Sequence, residues 1–302
     1  MAAPCSGLHS EGRVDMPVRH YLAALFIGCA AVPAGAQVAQ SLINKNLQAR
    51  GGPAAIAAIR NVTFEGRTIY PGDFELAYKE IHARLPGTVA DRVDFTLQGL
   101  DIIQAYDGHD GWKVNPLEGR KDPEKMPADE ARSLADAALI EGPLLASRSD
   151  GSKVAYLGRE DFDGTLAYKL KVTQKDGDEF VYWLDPDTFL EIKVQETRRI
   201  RGAEQTNETE LGDYEKVAGV YFPMSVETWP QGQESNRSRT IIASATANNQ
   251  VPASYFSEPA GPKTPAKAMA GPPPDQGKPK GKPAGTKPSE QTTPPSKPGK
   301  GE

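Results

Sequence analysis

Imidazole and thiol chemistry is scarce in this 302-residue chain, which holds four histidines and two cysteines. Both cysteines, Cys5 and Cys29, lie near the N-terminus. The body beyond them has no thiolate nucleophile, no disulfide and no Cys-type zinc site. Two histidines, His82 and His109, fall in that body. A Ser-His-Asp triad is arithmetically available, but no G-x-S-x-G elbow, H-E-x-x-H pair, P-loop or dinucleotide fingerprint accompanies it. Asp107-Gly108-His109-Asp110-Gly111 carries metal-type ligand atoms. It reads better as a hairpin turn, in which Asp and Gly supply local hydrogen bonds and positive φ. Asp161-Phe162-Asp163-Gly164 and Asp176-Gly177-Asp178-Glu179 resemble calcium-loop fragments, but neither has the twelve-residue frame with its terminal Glu. Asp91 and Asp94 read as part of a solvated strand face rather than an acid/base dyad. The expectation is a chain without catalytic residue, metal or cofactor, and not an enzyme.

The elements around these residues carry more information. Val38, Leu42, Ile43 and Leu47 keep helical spacing up to Gly51-Gly52, and Pro53 opens a short helix over 54–60. The period then changes from 3.6 to 2, beginning with Val62, Phe64, Thr68 and Tyr70. Leu166, Tyr168, Leu170 and Val172 against Ala167, Lys169, Lys171 and Thr173 show the alternation most plainly. One helix interrupts at 127–140, with Pro127 at its start, acids in its first turn and Gly142-Pro143 beyond its end. Strand-like runs resume at 153–159, 165–173, 178–185, 188–199, 206–214, 219–229 and 238–246. About ten or eleven strands at this spacing predict a mainly β (α+β) fold built on one large curved antiparallel sheet. One face is apolar, and the helices are its cover.

Charge and composition divide the chain in three. Residues 17–36 join a basic lead (Arg19, His20) to an apolar run, then Pro33 and Ala34-Gly35-Ala36. That pattern predicts a signal peptide over 1–36, with cleavage before Gln37 and export to the periplasm. Met16 is an alternative start. Phe26-Ile27-Gly28-Cys29 offers a rival reading, a degenerate lipobox that would anchor the protein by lipid at Cys29. Residues 37–260 carry 25 Lys+Arg against 35 Asp+Glu, a balance that argues against a nucleic-acid partner. Residues 261–302 hold 11 of the 26 prolines, 8 lysines and no aromatic residue, the composition of a disordered tail.

Several stretches resemble the bacterial outer-membrane lipoprotein-sorting protein family. They are LQARGGPAAIAAIRNVTFEGR (47–67), QAYDGHDGWKVNP (104–116), EGPLL (141–145), YKLKVTQKDGDEFVYWLDPDTFLEIKVQETRR (168–199) and DYEKVAGVYFPMSVET (213–228). The resemblance spans roughly residues 45–256 and implies an unclosed β-barrel holding helices against its concave face, with no catalytic residue. It implies a cleft for acyl chains or a hydrophobic peptide.

The residues expected to line that cleft are Phe64, Leu76, Tyr78, Phe95, Tyr106, Trp112, Leu139, Leu144, Leu170, Tyr182, Leu184, Val194, Phe222 and Met224. A one-residue slip in any strand would invert its faces. The expected function is a monomeric periplasmic carrier of lipoprotein acyl chains or lipid, working with membrane donor and acceptor proteins. An envelope sensor acting through a protein partner is the second reading.

Overall fold

A computed structural model describes residues 34–259. The readings of the signal peptide, of Cys29 and of the Lys-Pro tail lie outside the described residues. The exception is Ala34–Ala36, which open the first helix.

Helix α1 (Ala34–Ala49) buries Ala39, Leu42, Ile43, Asn46 and Leu47, an i, i+3, i+4, i+7, i+8 stripe. Helix α2 (Gly52–Ala58) follows after Gly51, whose φ is 123°. A Cβ on Gly51 would stand 2.2 Å from the carbonyl oxygen of Gly219, so the bend between the two helices can approach the Ala218-Gly219 turn only through glycine. The chain then meanders through β1 (Asn61–Tyr70), β2 (Phe74–Leu85), β3 (Thr88–Leu97), β4 (Leu100–Tyr106), β5 (Gly111–Asn115) and β6 (Arg120–Lys125). Helices α3 (Ala128–Ala137) and α4 (Gly142–Ala146) cross back. A second meander runs through β7 (Lys153–Phe162), β8 (Thr165–Thr173), β9 (Glu179–Leu184), β10 (Glu191–Ile200) and β11 (Ala203–Gly212). A small hairpin of β12 (Glu215–Val217) and β13 (Val220–Phe222) precedes β14 (Ser225–Pro230) and β15 (Ser238–Ala247).

Strand β15 pairs with both β1 and β14, which joins the two meanders into one sheet of thirteen strands. The order runs from β6 at one edge to β7 at the other, and these two strands do not pair. The barrel is therefore unclosed. The sheet must also curl. Helix α3 touches both β3 and β10, which lie six strand spacings apart. In a flat sheet that distance would be roughly 29 Å, far beyond the reach of one helix.

The main core lies between the concave face and the helices. Leu42, Ile43, Leu47, Ile56 and Ile59 pack there on Val62, Phe64, Leu170, Val172, Leu184, Val220 and Phe222. A smaller cluster of Ile81, Ala83, Ala90 and Phe256 sits on the outer face under the segment Val251–Phe256. No helix among the described residues is long and apolar enough to cross a membrane, which leaves strands out of account.

Three expectations change. The helix expected over 127–140 is α3, which stops at Ala137, and Gly142-Pro143 open a further short helix, α4, beyond it. The run 219–229 splits at Pro223, which lacks the N–H a continuous strand would need: β13 folds back on β12 and β14 joins the large sheet. Strand β6 was not expected, since Arg120–Lys125 has no apolar alternation. It tolerates Pro123 because it is an edge strand.

Candidate functional site

Cross-strand register decides which side chains face the helices. Tyr78 pairs with Phe95, Glu80 with Val93 and His82 with Asp91, so these residues project to the concave side. In the second meander Tyr168, Leu170 and Val172 pair with Leu184, Tyr182 and Phe180, and Tyr182 pairs in turn with Val194.

The helices leave part of this face uncovered. A crevice of two lobes runs between the α3–α4 segment and the sheet, and Arg50, Asp136, Ala137, Gly142, Pro143 and Pro223 border both lobes. The larger lobe, about 340 Å³, is walled by Leu144, Phe180, Tyr182, Val194, Leu211 and Tyr214. The smaller, about 290 Å³, is walled by Phe64, Tyr78, Leu139, Ile140, Phe222 and Ile242. A broader hollow of about 1000 Å³ flanks α1, but Gln37, Gln40, Asn44, Lys45 and Gln48 edge it and the sheet does not enclose it.

Two ionic groups fix the crevice walls. Arg50, at the end of α1, donates from Nε to the Tyr221 carbonyl (2.8 Å) and from Nη2 to the Ile140 carbonyl (3.3 Å). Its Nη1 lies 3.4 Å from Glu191 Oε1. One side chain thus ties α1, the α3–α4 connection, β13 and β10 together. Glu191 also accepts from the Tyr214 hydroxyl through its backbone carbonyl, at 2.8 Å. Burial, reinforced by the Glu191 carboxylate, raises the Tyr214 hydroxyl well above the ordinary tyrosine value, so it stays a donor. The second group is Arg198, almost wholly buried, which bonds Asp178 (2.6 Å), Asp136 (2.7 Å) and Glu196. Arg132 adds a second cation to Asp178 at 3.0 Å. This network pins α3 to β10.

A third polar group lies in the smaller lobe. His82 Nε2 is 3.3 Å from Glu80 Oε1 and 3.5 Å from Asp91 Oδ1, and Asp91 is fully buried. Burial alone would lower the imidazole value, but Glu80 and Asp91 outweigh it and hold His82 at about 9. Burial, then the Glu80 charge, pushes the Asp91 carboxyl well above the usual carboxylate range. Reading Asp91 and Asp94 as one solvated face is therefore corrected. Three residues apart on a strand, they project to opposite faces.

The expected cleft residues divide into groups. Phe64, Tyr78, Leu139, Leu144, Tyr182, Val194 and Phe222 border the crevice. Leu170, Leu184 and Met224 are packed in the main core beside them, and Leu76 is buried on β2. Phe95 and Tyr106 pack with Val93, Met126, Ala131 and Leu134 under α3. Trp112 is a correction. Tyr106 pairs with Gly111, so the next residue turns outward, and Trp112 Nε1 donates to the Phe256 carbonyl (2.7 Å) on the outer face. Asp107 Oδ1 accepts from the backbone N–H groups of His109 and Asp110, both at 2.9 Å, which is the turn expected there.

Arg50, Glu191, Asp136, Arg198 and the His82 cluster were not anticipated. Only the last had a usable signal. The two-residue loop Pro86-Gly87 sets the β2–β3 register with Leu85 opposite Thr88, and counting back places His82 opposite Asp91.

No family model matches the chain, and no curated protein matches it. Among solved structures it is similar to a DUF1329 family protein from Desulfovibrio piger, at 12% identity and a TM-score of 0.53, covering 72% of this chain and 97% of that one. It is also similar to a LolA superfamily protein from Nitrosomonas europaea (16% identity, TM-score 0.49, 72% and 97% covered). A candidate outer membrane lipoprotein-sorting domain from Vibrio parahaemolyticus is a further likeness (13% identity, TM-score 0.49, 74% and 95% covered). The likeness to the DUF1329 family protein is one of fold alone.

Proposed function

We propose that the chain is an exported, non-catalytic carrier of hydrophobic groups, with lipoprotein acyl chains or a lipid as its guest. The observation that supports it best is the two-lobed crevice between α3–α4 and the concave face. Its lobes together fall in the size range of small-molecule pockets, about 300–1,000 Å³. Its walls are mostly aliphatic and aromatic. Each methylene withdrawn from water contributes roughly 0.8 kcal/mol, so an acyl chain needs no polar chemistry to bind. The Arg50 hydrogen bond to the Ile140 carbonyl and the Arg198–Asp136 ion pair hold the cover in place. Entry and release require the α3–α4 segment to move against them. The resemblance to the sorting family supports the same reading, and periplasmic residence follows from the expected leader.

Native mass spectrometry of gently purified protein tests this. The expected result is a bound apolar guest, or uptake of added fatty acid at one per chain. A clean apo mass with no uptake would overturn the carrier reading. A stable protein partner without guest transfer between membranes would favour the sensor.

A further inference from the structure

The smaller lobe has one polar corner that guest burial does not use. Glu80, His82 and Asp91 offer one imidazole nitrogen and two carboxylate oxygens within 4.8 Å of one another. Asp91 is fully buried, and neither of its oxygens has a hydrogen-bond partner. His82 Nε2 likewise makes no contact of hydrogen-bond geometry. Buried polar groups are ordinarily satisfied, so three unsatisfied atoms on two facing residues call for an occupant.

We propose that Glu80, His82 and Asp91 form a divalent-cation site of zinc type. Imidazole and carboxylate are the ligand types zinc takes, at bond lengths of about 2.0–2.2 Å. A tetrahedron with such bonds spaces its ligand atoms roughly 3.3–3.5 Å apart. The two edges at His82 Nε2 measure 3.3 and 3.5 Å. The Glu80 and Asp91 oxygens lie within 4.8 Å of each other, and binding one ion requires them to sit at the same spacing as the other two edges. The Tyr78 hydroxyl donates to Glu80 Oε2, which leaves Oε1 directed at His82, the kind of outer contact that orients a ligand. Three protein ligands leave a fourth position open, and Glu80 and His82 both line the smaller lobe.

The test is zinc chloride titrated into the chelator-stripped full chain, against a competing chromophoric chelator and by native mass spectrometry. One zinc per chain is expected. His82→Gln and Asp91→Asn should lose it, and Tyr78→Phe should bind about tenfold more weakly. Asp94→Asn, on the outer face, should bind like the parent chain. No zinc uptake by the parent chain, or uptake that these variants leave unchanged, would overturn the site. If the variants fail to fold, X-ray absorption of the zinc-loaded parent decides: one imidazole in an N/O shell is expected, and a shell without imidazole overturns the proposal. Zinc is read whether or not an apolar guest is bound, so this result is separable from the carrier test.

Discussion

His82 on β2 stands directly opposite Asp91 on β3, and both project toward the helices, with Nε2 3.5 Å from Oδ1. Asp94 projects the other way, where Arg92 Nε (2.8 Å) and the Tyr255 hydroxyl (3.0 Å) donate to it. Two acids three positions apart therefore live in different environments. One is sealed beneath the helices, the other held at the surface under the C-terminal segment.

His82→Leu, measured in chelator, removes the cation between two buried acids. Leaving such a pair uncompensated costs roughly 3–5 kcal/mol. Urea denaturation should show that loss, and a smaller one for Asp94→Asn. Equal losses would mean that the buried corner carries no special charge burden.

Arg198→Met should loosen α3 specifically. Arg198 bonds Asp136 on that helix and Asp178 beside β9. Removing one partner of a buried ionic group costs about 3–5 kcal/mol. Hydrogen exchange by mass spectrometry should rise first in Ala128–Ala137, while β1 and β2 stay protected. Uniform deprotection across the sheet would show that α3 is not held separately.

Gly111→Ala should collide with α3. A Cβ there would lie 2.6 Å from the Ala131 Cβ and 3.3 Å from the Met126 Cβ. Overpacking of this kind costs roughly 1–3 kcal/mol. Ala131→Gly in the same chain should recover part of it, with a coupling of at least about 0.5 kcal/mol in a double-mutant cycle. Strict additivity would contradict the contact.

Val194→Trp should fill the larger lobe, where the half-buried valine stands beside Tyr182. Binding of a fluorescent fatty acid should fall tenfold or more while the melting temperature holds within a few degrees. Undiminished binding by the folded variant would place the guest elsewhere.

What could be read from the sequence depended on how local the deciding contact was. Strand β8 was legible, because strict alternation put Leu170 and Val172 inward and left Lys169 and Lys171 to pair with Glu160 and Glu179 outside. The β2–β3 register was also legible in principle, since a two-residue loop fixes it. The β4–β5 loop is longer, and its register is not written in its residues. Trp112 was therefore assigned to the wrong face. Trp183 and Trp229 show a related limit. Both are buried on the outer face by charged stems: Lys169 lies 4.5 Å from the Trp183 ring and Arg237 3.7 Å from that of Trp229. Aromatic burial thus does not by itself mark the concave side. Arg50 and Glu191 meet across 141 residues of chain, and no local pattern foretells such a pair.

A carrier of the proposed kind holds its apolar guest in the two-lobed crevice. A fatty acid carrying a photoreactive diazirine on its chain, bound and irradiated, followed by peptide mass spectrometry, reads that position directly. Labels should fall on peptides carrying Leu139, Leu144, Tyr182, Val194 and Phe222. Labels confined to the outer face around Trp112, Trp183 and Trp229, or to the open flank of α1, would show that the crevice is not the guest site.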